Sequence, residues 1–267
     1  MLLAGIFFAL MNVSVKYIPH IPAIEIVWFR SVFSLIFTYI VLRRQQVPVL
    51  GNSRGKLIIR GVVGSISLIL FFYTLQRIPL ASAVTLQYLS PILTTILGIF
   101  ILREPVKPIQ FFYFALAFSG VLVIQGFDPR VDWLSAIMGI TSALASGVAY
   151  NMIRKVKNTE HPLVIVFYFP LVTLPIASVI MLFDWVTPQG WDWVILIWIG
   201  FCTQNAQYFM TRAYQSGNLA RVSSLSYMAV LYALVFGFFL FGETFPLEAY
   251  LGMALVLIGI LLNLRVK

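Results

Sequence analysis

Cysteine, histidine and acidic residues are scarce in this chain, and each shortage removes a class of chemistry. Cys202 is the lone cysteine among 267 residues. An intramolecular disulfide is therefore impossible and a Cys-rich metal site is excluded; a Cys inside an apolar segment is expected to pack. His20 and His161 both sit in connections, and no His-Glu-x-x-His spacing exists. Neither a Gly-x-Ser-x-Gly elbow nor a phosphate-cradling Gly-rich loop occurs. With only nine Asp and Glu, none at the middle of an apolar segment, there is no acidic cluster for catalysis or metal binding. These absences argue against an enzyme and predict no catalytic residue, no cofactor and no metal.

What remains is apolar. Hydrophobic residues make up 61% of the chain and charged residues 10%, against roughly 45–50% and 25% in soluble domains. Segments of about 20 apolar residues, the length that spans a bilayer, are expected at 1–19, 24–42, 57–77, 80–102, 108–125, 133–153, 162–184, 191–214, 218–241 and 246–264. They leave no room for a soluble domain. The first segment lacks a basic leader and a small-residue cleavage site, so it reads as a retained helix.

The net charge of +9 could suit nucleic acid, but its placement argues otherwise. Arg43, Arg44, Arg54, Lys56, Arg60, Arg103, Lys107, Arg154, Lys155, Lys157, Arg265 and Lys267 fall on one side of an alternating ten-span topology. The opposite connections hold Arg77 and Arg130 with Asp128, Asp132, Asp184, Asp192, Glu243 and Glu248. A lysine and arginine excess marks the cytoplasmic side, so both termini are expected there, in a cell (plasma or inner) membrane. The bilayer is the expected partner and nucleic acid is not.

An internal repeat organises the chain. At an offset of 139, Leu80–Ile124 aligns with Leu219–Asn263 without a gap, and eleven of the 45 pairs are identical, including Tyr88/Tyr227, Gly98/Gly237, Glu104/Glu243 and Gly120/Gly259. Ile26 and Val27 meet Ile165 and Val166 at the same offset, while Gly5 and Ala9 meet Gly139 and Ala143 at 134. Five spans in each half force the second half to insert upside down, an inverted repeat of the kind that places a substrate between the halves. The boundary is expected near 126–131. Ser135, Gly139, Ala143 and Gly147 form a small-xxx-small series for close helix packing.

The stretch 72–91, Phe-Tyr-Thr-Leu-Gln-Arg-Ile-Pro-Leu-Ala-Ser-Ala-Val-Thr-Leu-Gln-Tyr-Leu-Ser-Pro, running on to Gly98 and Arg103-Glu104-Pro105, resembles the EamA family of the drug/metabolite transporter superfamily. Val27-Trp28-Phe29-Arg30-Ser31 is similar to that family's second-helix motif. The resemblance covers two units, 1–125 and 133–264. It implies an all-α integral membrane fold: ten transmembrane helices, as two inverted five-helix repeats around a central cavity lined mainly by the third, fourth, eighth and ninth spans. Phe169 stands where the first half carries Arg30, so the halves are not chemically equivalent.

Polar groups inside spans are costly and therefore candidate functional residues. Arg30 lies about two turns inside the second segment. Either it snorkels or pairs with Glu25, or it faces the cavity and attracts a carboxylate or phosphate. Lys16 is expected to pair with Glu25. Gln204, Gln207, Tyr208 and Thr211 follow i, i+3, i+4, i+7 and share a helix face, suited to a wet cavity or to helix–helix hydrogen bonds. The fourth segment offers Thr85, Gln87, Tyr88, Ser90, Thr94 and Thr95, with Pro91 interrupting the backbone ladder. The ninth answers with Ser223, Ser224, Ser226 and Tyr227 but has Val230 in place of the proline. Glu104 and Glu243 are expected to cap the helices that follow.

The expected function is a secondary transporter moving a small organic metabolite, amino-acid-like or nucleoside-like, by alternating access. Its candidate substrate-binding residues are Arg30, Gln87, Tyr88, Gln204, Gln207 and Tyr227. The alternatives are a drug or toxic-metabolite exporter of the same fold, which should need a buried carboxylate, and a non-transport receptor or scaffold, in which the polar stripes would close up in dry helix contacts.

Overall fold

The computed structural model describes residues 1–78, 86–125, 132–183, 185–241 and 247–266. Residues 79–85 (Thr85 among them), the junction 126–131, Asp184, Glu243 and Lys267 lie outside them, as do the side chains of Lys16 and Val230. All regular structure among the described residues is helical. In chain order the helices are α1 (Leu2–Lys16), α2 (Ala23–Arg44), α3 (Arg54–Arg77), α4 (Ser90–Ile101), α5 (Pro108–Gln125), α6 (Trp133–Lys155), α7 (Pro162–Met181), α8 (Asp192–Ser216), α9 (Leu219–Ser224), α10 (Met228–Phe241) and α11 (Leu247–Arg265). By length and composition α2, α6 and α7 could each cross a membrane, while the apolar stretches of α1, α4, α5 and α11 are shorter.

Local signals set several helix starts. Asp132 accepts from the Ser135 backbone N–H at 3.2 Å and caps α6. Hydrogen bonding from Ser135 holds its carboxyl below the usual range. Pro162 opens α7 behind His161, whose Nδ1 accepts from Leu163 N–H. Burial, reinforced by Arg212, lowers the His161 pKa and so favours the neutral ring that such an acceptor requires. Pro91 lies in the first turn of α4, so the fourth segment bends at Tyr88 and Leu89 before it continues. The ninth segment breaks at the equivalent place, where a 3-10 turn at Leu225–Tyr227 separates α9 from α10. The two breaks match although only one carries a proline.

The connections gather into two sets. At one end, Arg154 of α6 pairs with Glu104 at 2.7 Å and donates to the Gln215 carbonyl. Glu160 accepts from the Asn52 and Ser53 backbone N–H groups, and Arg221 donates to the Val266 carbonyl. Glu104 thus acts as a tie to α6 instead of the cap expected of it. At the other end, Glu25 accepts from Val186 N–H, and His20 meets Asp192 at 2.9 Å. Trp133, Trp185, Trp191 and Trp193 are exposed near this second end, as an interfacial aromatic belt requires. Between the two ends the outer surface is apolar, with Phe100, Phe112 and Phe239 largely exposed.

Close packing follows the small residues. Ser135, Gly139, Ala143 and Gly147 are buried, and a Cβ built on Gly139 would fall 2.6 Å from Leu86. α5 and α11 approach so closely that a Cβ on Gly120 would meet the Gly252 carbonyl at 2.5 Å, and one on Gly259 the Ala117 N at 2.7 Å. Cys202 is free and fully buried. α3 packs on α6 and α7, α2 on α7 and α8, and α1 on α8 and α10.

Contacts recur at the 139 offset with the two partners exchanged. Gly200 meets Phe33 at 2.7 Å, and Gly61 meets Val172 at 2.8 Å. Ser34 bonds Gln204, and Ser65 bonds Thr173 at 2.8 Å. Gly120 meets Val256, and Gly259 meets Ala117. In each case contact i–j returns as contact (j−139)–(i+139).

Candidate functional site

The candidate residues occupy three polar clusters on different helix seams. The first lies between α1, α2 and α8. Arg30 is 7% exposed, and its Nη1 reaches the Met11 sulfur at 3.9 Å, while Thr203 Oγ1 donates to the same sulfur at 3.0 Å. One turn further along α2, Ser34 donates to Gln204 Oε1. The Arg30 Nε and Gln204 Nε2 donors have no partner among the described residues. Among the described residues no carboxylate pairs with Arg30, so a Glu25 pair does not describe it.

The second cluster joins α3, α6 and the residues before α4. Gln87 Nε2 donates to Ser146 Oγ at 2.9 Å, and its Oε1 accepts from Ser142 at 3.0 Å. Ser67 of α3 completes the knot at 2.6 Å from Ser146. Serines are small enough to let the backbones approach and polar enough to satisfy an amide in a dry seam.

The third cluster was not read from the sequence. Arg60, expected with the loop charges, is 3% exposed in the second turn of α3. Its guanidinium lies over the Phe169 ring, 4.7 Å from the centroid, and Nη2 donates to Gln207 Oε1 at 3.3 Å. Arg60 Nε and Nη1 find no partner among the described residues. The available signal was position: Arg60 follows Arg54 by six residues, nearly two turns into a helix, and so cannot sit at the helix mouth.

Tyr88 and Tyr227 do meet. Their ring centroids are 6.0 Å apart, and the buried Tyr227 hydroxyl donates to the Tyr88 carbonyl at 3.0 Å. Each sits at the break of its segment, so one hydrogen bond joins the two interruptions. The Tyr208 ring lies near Arg212 at the surface, and Thr211 is buried, so the α8 stripe is divided among neighbours. A cavity of about 260 Å³ is lined by α2, α3 and α7, with Val27, Leu68, Thr173 and Ala177 in its walls. None of the six candidates lines it, and of the spans expected around the central cavity only the third, α3, contributes to its walls.

An apolar exterior around buried polar seams defines a helical, multi-pass membrane protein. This chain belongs to the EamA-like transporter family, which it matches over residues 1–126 and 133–265. It is 27% identical over 268 residues to the pseudopaline exporter CntI of Pseudomonas aeruginosa, covering 99% of this chain and 94% of that protein. It is 27% identical to human solute carrier family 35 member G1, covering 91% of this chain and 71% of that protein. The riboflavin transporter of Rhizobium johnstonii is 24% identical, with 99% and 89% covered. A solved crystal structure superposes with a TM-score of 0.86 at 17% identity, over 98% of this chain and 96% of the other, and supports the fold alone.

Proposed function

We propose that this chain is a secondary carrier that moves a small organic metabolite, amino-acid-like or nucleoside-like, by alternating access between two inverted five-span repeats, 1–125 and 133–264. The observation that carries the reading is the exchange of contacts at the 139 offset, which is what a two-fold axis relating the halves produces. α9 and α10 then form the ninth span, and the residues from Leu86 through α4 belong to the fourth. The basic ends of the helices, and both termini, face the cytoplasm of a cell membrane.

Broken helices that meet at a repeat interface are where such carriers hold their solute. Tyr88 and Tyr227 supply ring faces at that point. Gln87, Gln204 and Gln207 orient by hydrogen bonds, and Arg30 supplies charge. The closed polar seams describe a state in which the site is shut; a scaffold would close its seams too, but it would not leave guanidinium donors unmet at a cost of several kcal/mol per buried charge. Export is the direction that the name of the Pseudomonas relative favours.

Purified protein in liposomes, screened with a labelled metabolite panel, tests the reading. Uptake above protein-free vesicles is expected, with a loss of about tenfold or more in Arg30→Ala and in Tyr88→Ala. Uptake indifferent to both substitutions together would sink the site assignment.

A further inference from the structure

We infer that Arg60 is a second substrate anchor and that the solute carries at least two acidic groups, carboxylate or phosphate. The inference rests on the carrier reading above and names its substrate class. It comes from what the two buried cations lack. Arg30 and Arg60 are both more than nine-tenths buried, and no carboxylate among the described residues pairs with either. Three of their N–H donors are unmet, Arg30 Nε and Arg60 Nε and Nη1, with Gln204 Nε2 as a fourth beside Arg30. Buried cations with spare donors and no carboxylate partner suit a ligand rich in acceptors.

The repeat makes the two cations equivalent in place though not in sequence. Arg30 of α2 has Phe169 of α7 as its 139-offset counterpart, and Thr203 of α8 has Gly64 of α3. The Arg60 guanidinium lies over that Phe169 ring, and a Cβ on Gly64 would fall 3.0 Å from Arg60 Nη1. A threonine at 64, as at the counterpart, would crowd the guanidinium. Gly64 and Phe169 therefore admit a cation from α3 into the position that α2 fills in the first half. The second half has regained by another route the charge that its own helix lost.

The charge of the solute follows. A zwitterion would satisfy one guanidinium and bring an ammonium with no buried carboxylate to receive it. The buried carboxylates among the described residues are committed at helix ends: Glu25 to Val186 N–H, Glu160 to Asn52 and Ser53, and Asp192 to Gln189 and His20. A solute with two acidic groups supplies a partner for each guanidinium. A diacid without a free ammonium meets this condition; a zwitterionic amino acid and a neutral nucleoside do not.

The test is the thermal unfolding midpoint of the purified full chain, titrated with citrate, succinate, pyrophosphate, alanine and adenosine, since a ligand of the native state raises it. Citrate, succinate or pyrophosphate should stabilise, and alanine and adenosine should not; the carboxylate and phosphate arms distinguish the two acid types. The half-effect concentration should rise about tenfold or more in Arg60→Gln and in Arg30→Gln, and about threefold or less in Arg60→Lys. If Arg60→Gln does not yield monodisperse protein, Gln207→Leu serves instead. It keeps both cations, removes the group that orients Arg60, and should weaken binding about threefold or more. Stabilisation by alanine or adenosine that is unchanged in these variants overturns the inference and leaves the carrier standing. If no probe stabilises, the inference fails; if the labelled panel also gives no uptake, the carrier reading fails with it.

Discussion

The seam between α5 and α11 and the seams of α2 with α8 and α3 with α7 follow the same exchange rule, yet they conserve different things. In the first, Gly120 and Gly259 are the same residue in both halves, and each lets backbone meet backbone. In the second, the contacts return but the chemistry does not. Ser34–Gln204 becomes Thr173–Ser65, Phe33–Gly200 becomes Val172–Gly61, and Arg30 becomes Phe169 with Arg60 laid over it. Where a contact only has to be close, both copies kept one solution. Where it faces polar groups, the copies diverged around fixed geometry.

The largest effect should come from breaking the identical seam. Gly120→Leu or Gly259→Leu places a side chain against the backbone of the opposing helix, which cannot step aside, and should cost about 3 kcal/mol or more. A lower unfolding midpoint and the loss of a monodisperse peak would record it. Gly55→Leu, where nothing lies within 4 Å of a built Cβ, is the control and should leave stability unchanged.

The diverged seams should respond unequally. Ser34→Ala strips Gln204 Oε1 of its donor in a buried seam, where Nε2 is already unmet, and should cost about 1–2 kcal/mol. Ser65→Ala should cost about 0.5 kcal/mol, because Thr173 keeps its bond to the Phe169 carbonyl. Equal losses in the two variants, measured by thermal or chemical unfolding, would contradict the proposed asymmetry. Glu104→Gln should have an effect of the same small size as Ser65→Ala. The Glu104 pair with Arg154 is partly exposed, so about 0.2–1 kcal/mol is expected, shrinking as salt rises.

The helices and their close-packing seams were legible in the sequence because each rests on a local rule: apolar length and small-residue spacing. Tyr88 and Tyr227 could be placed at equivalent positions from the offset alone, and they are in contact. The partners of the glutamines could not be read, since serines such as Ser67, Ser142 and Ser146 look like ordinary packing residues until α3 and α6 are side by side. Arg60 was misplaced for a related reason. It follows Arg54 and Lys56, and a run of basic residues reads as a loop; only the fold tells which member turns inward. The expected cap at Glu104 became an ion pair because Arg154 is fifty residues away in sequence and adjacent in space.

Alternating access between inverted repeats needs two halves of opposed orientation, and residues 44 and 183 report that orientation directly. They are separated by the repeat offset, and both are exposed at helix ends. In a Cys202→Ser background, Arg44→Cys and Phe183→Cys are labelled with a membrane-impermeant maleimide in right-side-out and inside-out vesicles. Arg44→Cys should react only in inside-out vesicles and Phe183→Cys only in right-side-out ones. Reaction of both from the same side would contradict the inverted repeat, and with it a substrate site shared between the halves.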